Sequence, residues 1–132
     1  MKRIAISLLA IGSLMSVSTA FAAKDMACLQ TAVQTRENTI ITTWSTFSSA
    51  LSAAHTSRSS ALFTAYGSSD AATQRTAIKK IWSDFKTADK NARTALKASR
   101  KDAWMTFKAD VKKCKGSAKD ESAGESMDMT NE

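Results

Sequence analysis

From Ile78 onward the chain falls into blocks of eleven residues: IKKIWSDFKTA, DKNARTALKAS, RKDAWMTFKAD and VKKCKGSAKDE. The fourth position of the block is Ile81, Ala92, Ala103 and Cys114, and the eighth is Phe85, Leu96, Phe107 and Ala118. The second position is always Lys (Lys79, Lys90, Lys101, Lys112), and so is the ninth (Lys86, Lys97, Lys108, Lys119). A second frame starts at Leu29, with Leu29, Ile40, Leu51 and Leu62 in first position and Val33, Trp44, His55 and Tyr66 in fifth. Eleven residues close three helical turns at about 3.67 residues per turn, so positions 1, 4, 5 and 8 share one face. The pattern predicts two amphipathic helices, over about residues 25–66 and 71–115.

Three times the frame writes Trp-x-x-Phe, at Trp44–Phe47, Trp82–Phe85 and Trp104–Phe107, always in positions 5 and 8. The motif reads as a packing unit, and it predicts that all three tryptophans face the seam between the helices. The competing reading is an aromatic box for a ligand.

The two frames are out of step, and the break falls at Gly67-Ser68-Ser69-Asp70. Gly67 suits a helix C-terminus, and Ser69 or Asp70 suits the next N-cap. The chain has no proline, and Gly116 is the next stop signal. Cys28 and Cys114 are the only cysteines. In an antiparallel pair of helices the numbers of facing residues have a constant sum, and these two have their midpoint at residue 71, at the break. The expected fold is therefore all-α: two long antiparallel helices with an eleven-residue repeat, a helical hairpin over 23–115 closed at its open end by a Cys28–Cys114 disulfide. Two free thiols are the alternative.

The ends of the chain add a compartment. Lys2 and Arg3 precede an apolar stretch from Ile4 to Val17, and Ala20-Phe21-Ala22 is a small-x-small cleavage site. That is the layout of a secretory signal peptide over residues 1–22. The apolar stretch is shorter than the roughly 20 residues a spanning helix needs. Export, to the periplasm or the medium, makes an oxidised cysteine pair the natural state. Residues 116–132 hold one Lys against five acids without periodicity, and read as a disordered acidic tail that is placed to fold back on the basic helix and mask it.

The Ala/Lys-rich frame with recurring Trp, bracketed by two cysteines behind a signal peptide, resembles a group of uncharacterised exported Ala/Lys/Trp-rich helical-hairpin proteins of ultra-small bacteria. The resemblance covers residues 28 to 114. It implies the same fold and brings no known activity with it.

Charge is distributed unevenly. Residues 71–115 hold 13 basic and 4 acidic side chains, against three basic and two acidic in 24–66. The first helix cannot neutralise the Lys rows beside the seam. Lys79, Lys86, Lys90, Lys97, Lys101, Lys108 and Lys112 are thus the candidate contacts for an anionic envelope polymer or lipid, without nucleic-acid specificity. The bland alternative is a solvated face whose Lys stems cover the seam. Polar residues also interrupt the stripe. The sum rule sets His55 opposite the Asp89 region and Arg58 opposite Asp84, which predicts cross-helix ion pairs that fix the register. The lone His with scattered acids offers neither a nucleophile–base set nor a zinc site, and no cofactor motif is present. The sequence reads as a non-enzymatic structural or interaction protein without a small-molecule substrate. Polyanion binding is the alternative. A two-helix rod also leaves part of its apolar stripe uncovered, which predicts self-association.

Overall fold

The structure is a computed structural model that describes residues 25–116 and 119–130. The expected signal peptide, residues 1–22, lies outside the described residues. Among the described residues there are three α-helices: α1, Met26–Tyr66; α2, Ala71–Lys113; and α3, Ser122–Thr130. A 3-10 turn over Lys119–Glu121 leads into α3. None of these helices is long and apolar enough to cross a membrane.

Each long helix begins on an aspartate. Asp25 accepts a hydrogen bond from the backbone N–H of Cys28 at 3.0 Å, and Asp70 accepts one from the N–H of Thr73 at 2.8 Å. The hydrogen bonds from Thr73 hold the Asp70 carboxyl below its ordinary value. A depressed carboxylate of this kind adds stability above its unfolded pKa, and that stability is lost as pH falls through the folded value. The break at residues 67–70 is the connection between α1 and α2, and Gly67 ends α1 in a right-handed conformation.

The end of α2 is built differently. Lys115 takes the left-handed conformation, with φ of 55°. The N–H of Gly116 donates to the carbonyl of Val111 at 3.0 Å, and that of Lys115 to the carbonyl of Lys112 at 3.1 Å. These are the two bonds of a Schellman turn. Gly116 lies close to α1: a Cβ there would be 2.7 Å from Cδ2 of Leu29 and would push that side chain aside. The turn thus ends α2 at Lys113, two residues short of the expected boundary, and presses Gly116 onto α1.

Each long helix spans about 60 Å at 1.5 Å per residue, and the two pack against each other. Cys28 and Cys114 form the disulfide, with Cα atoms 5.6 Å apart. The core lies beside it: Ala32, Ile40, Ala103, Trp104, Phe107 and Val111, with Leu29 and Val33 packed on them. Toward the connection the seam thins, and Phe63 and Tyr66 stand in solvent.

Two expectations are corrected. The tail contains a helix where disorder is expected. Its few apolar side chains give α3 no core of its own, so its order derives from docking on α2 and Arg36. The tryptophans are also not alike. Trp104 is 3% exposed, but Trp44 is 40% and Trp82 is 49% exposed. Position 5 lies at the edge of the stripe, where a second helix does not reach, and only Trp104 is covered by a third.

The disulfide joins residues 86 apart. Closing a loop of that length is worth on the order of 4 kcal/mol by chain-entropy arguments. A Cys28→Ser, Cys114→Ser double variant should lose about that much stability in chemical denaturation while keeping its helical circular dichroism signal at low temperature.

Candidate functional site

Residues three apart on a helix are neighbours, so each Trp-x-x-Phe brings its rings together. In all three motifs they meet edge to face, with centroids 5.8 Å (Trp44–Phe47), 6.1 Å (Trp82–Phe85) and 5.6 Å (Trp104–Phe107) apart. Two rings at right angles make a notch whose walls present negative π-density. Every notch receives an arginine from the opposite helix. The Arg36 guanidinium lies 4.3 Å from the centroids of both Trp104 and Phe107. Arg58 lies 4.8 Å from Trp82 and 4.2 Å from Phe85. On the reverse side, Arg100 of α2 stands 5.6 Å from Trp44 and Arg93 stands 5.9 Å from Phe47. Contacts of this type are worth roughly 0.5–2 kcal/mol, more as water is excluded. Arginine suits the place because its flat, weakly hydrated cation stacks on rings and keeps its edge free for carboxylates.

The Trp104 notch is the complete one. Arg36 is 6% exposed there. Its Nε donates to Oε1 of Glu37 at 2.8 Å, and its Nη1 donates to Oε2 of Glu121 at 3.0 Å. The helix α3 then closes the outer side. The Trp104 indole N–H donates to Asp128 at 2.9 Å, and the Lys108 ammonium donates to Glu125 at 2.6 Å. The backbone of Gly124 lies against the indole, where a Cβ would be 3.5 Å from Cη2. Glu121, Gly124, Glu125 and Asp128 follow helical spacing, so one face of the tail supplies three carboxylates and one gap.

The predicted cross-helix ion pairs are not the ones formed. Asp84 accepts from Lys80 at 2.7 Å and Asp89 from Arg93 at 3.0 Å, both within α2. His55 instead packs against Phe85, with ring centroids 4.9 Å apart, and Arg58 stacks in its notch. The physical reason is reach: an i,i+4 partner on the same helix is closer to an exposed acid than a residue across an aromatic seam. Arg100 is 1% exposed, and its Nε and Nη1 find no hydrogen-bond partner in the protein.

Of the candidate lysines, Lys79, Lys90, Lys101 and Lys112 are exposed and make no ion pair among the described residues. Lys86 and Lys97 are exposed as well, whereas Lys108 is bound to Glu125. The two rows are thus unequal, and the second is partly masked by the tail. Among the described residues no group of three His, Cys, Asp or Glu side chains is placed to hold a metal ion. What this surface offers chemically is recognition of carboxylates and of flat or apolar groups.

Sequence reasoning missed Arg36 and the tail carboxylates. A signal for both was present: Arg36 and Arg58 are 22 residues apart in position 8, the same spacing as Trp82 and Trp104, and the tail reads Glu-x-x-Gly-Glu-x-x-Asp. No protein-family model matches this chain, and no curated protein or solved structure is significantly similar to it.

Two stability outcomes follow from burial. Trp104→Ala should cost roughly 3 kcal/mol or more, and Trp82→Ala clearly less, in paired urea titrations. Arg100→Met should be neutral or raise the melting temperature, because it replaces a buried cation holding two unmatched donors with an apolar side chain of similar reach.

Proposed function

We propose that this chain is an exported, non-enzymatic interaction protein of the cell envelope, a disulfide-closed antiparallel helical hairpin that acts by packing other chains against its aromatic seam. The observation that carries this reading is the contrast among the notches. One is filled by α3, while Trp44 and Trp82, each also edge to face with its phenylalanine, stand 40% and 49% exposed. Ile41, Phe63, Tyr66 and Met105 add to the apolar surface outside the seam. Exposed large apolar groups spread along one rod mark a surface for association, with itself or with a partner.

Support for the antiparallel arrangement comes from the order of the cross-helix pairs. Moving along α1 through Cys28, Arg36, Phe47 and Arg58, the partners on α2 descend through Cys114, Phe107, Arg93 and Phe85. Support for export comes from the N-terminal pattern of Lys2, Arg3, Ile4 to Val17 and Ala20-Phe21-Ala22, together with an oxidised cysteine pair. The destination would be the periplasm or the medium.

The second reading is contact with an anionic envelope polymer or lipid through Lys79, Lys90, Lys101 and Lys112, favoured by their exposure and lack of ion pairs among the described residues. Salt separates the two. At about 1 M salt the Debye length is about 3 Å, and point-charge contacts are lost while apolar packing persists. The oxidised protein should be retained by envelope fractions at that salt concentration, and a Trp44→Ser, Trp82→Ser double variant should not. Release by salt, with equal loss in a Lys79→Gln, Lys90→Gln, Lys101→Gln variant, would instead select the polyanion reading.

A further inference from the structure

The groups that hold α3 occur twice. Shifted by 22 residues along each helix, Arg36 becomes Arg58, Trp104 becomes Trp82, Phe107 becomes Phe85 and Lys108 becomes Lys86. The correspondence is geometric as well as textual. The rings of both notches meet edge to face, at 87° and 89°, and each arginine lies over both rings of its notch. A shared cavity borders each arginine and phenylalanine. One, of about 120 Å³, includes Ala32, Arg36, Ala103 and Phe107 in its lining. The other, of about 400 Å³, includes Ala54, Arg58, Ile81 and Phe85, the same positions two repeats away.

The second copy is uncovered. Trp82 is 49% exposed, Lys86 is exposed and Arg58 is half-buried. Asp84 lines the same cavity, but its carboxylate is held by Lys80 at 2.7 Å. Glu37 satisfies one edge of Arg36, but the residue after Arg58 is Ser59, and Arg58 makes no ion pair among the described residues. The Trp44 notch is not equivalent, because Ser48 stands where the other two carry Lys86 and Lys108, and its Arg100 is buried.

From these observations we propose that Arg58, Trp82, Phe85 and Lys86 form a docking site for a short acidic helix of a partner protein. This rests on the interaction-protein reading and names the partner's chemistry. The occupied notch defines the recognition element: carboxylates at i, i+4 and i+7 and a small residue at i+3. The first carboxylate accepts from the guanidinium, the second from the ammonium, and the third from the indole N–H. The small residue lets the backbone approach the ring. The chain's own tail does not reach this site. The two notches are about 33 Å apart along α2, and the link from Gly116 to Lys119 extends only about 10 Å. A tail from a second copy would abandon its own Trp104 notch for an equivalent one and gain little. The natural occupant is therefore a foreign acidic helix.

The test uses the full oxidised chain labelled with ¹⁵N and a synthetic peptide of residues 119–130, KDESAGESMDMT, as the probe. The indole N–H signals report each notch separately. The Trp82 signal should shift saturably while the Trp44 signal stays in place. Lys86→Glu, a change on an exposed side chain that leaves the seam intact, should weaken the peptide about fivefold or more. A peptide with Glu121→Gln, Glu125→Gln and Asp128→Asn should not shift the Trp82 signal. The proposal is overturned if the Trp82 signal is unmoved at millimolar peptide, or if the neutralised peptide moves it equally. It is also overturned if, without peptide, the signal depends on protein concentration and ceases to do so in a chain ending at Gly116, since the occupant would then be a second copy. Retention by envelope fractions is a separate readout. Loss of the peptide shift with retention intact removes this site alone, whereas a peptide shift without retention removes only the wider reading.

Discussion

The seating of an arginine between two perpendicular rings is the contact on which the organisation of this molecule depends. Two helices alone share a narrow seam, and aliphatic side chains along it would leave many sliding arrangements close in energy. A guanidinium in an aromatic notch is directional: it must enter from the opposite helix at one height. Arg36 and Arg58 enter from α1, and Arg93 and Arg100 approach from α2. The notches alternate between the helices, so each helix supplies cations where the other supplies rings. Register is thereby encoded in side-chain chemistry at several heights as well as in the disulfide.

The same contact explains why the tail folds. A nine-residue helix with Gly124 in its first turn is too short to persist in water. On Arg36, Trp104 and Lys108 it finds two cations and an indole donor on one surface, matched to its own carboxylates. Most of the buried side chains therefore gather near Cys28 and Cys114, where three segments and a covalent bond coincide. Toward residues 67–70 the described residues supply two helices alone, and fluctuations should grow in that direction, since local opening follows the density of buried contacts.

How much of this was legible in the sequence depended on whether the signal was periodic. Both long helices and the break between them follow from the eleven-residue frame, because periodicity reports which face is buried, and the Cys28–Cys114 pair follows separately from the symmetry of the two cysteines about that break. The frame could not say how far a second helix extends over that face, so Trp44 and Trp82 were expected in the seam and lie at its open edge. The tail was misread for a related reason. Glu121, Glu125 and Asp128 bury little apolar surface, and composition alone assigns such a segment to disorder. Its order comes from a receptor surface that exists only after α1 and α2 have met. Arg36 was passed over because a cation in a stripe position looks like an interruption until the rings around it are known.

The connection at residues 67–70 has a topological side. Every contact between α1 and α2, from Arg36 on Trp104 to Arg58 on Phe85, joins segments that the backbone connects through those four residues. A chain that ran straight through the connection would find each contact again in a second chain laid against it, with Cys28 of one copy meeting Cys114 of the other. Monomer and exchanged dimer thus use one set of interfaces and differ only in which chain contributes the second helix. A disulfide closed within one chain traps the monomer and makes exchange topologically impossible without reduction. In this fold the bond lies within one chain, so the second helix laid on α1 is the chain's own.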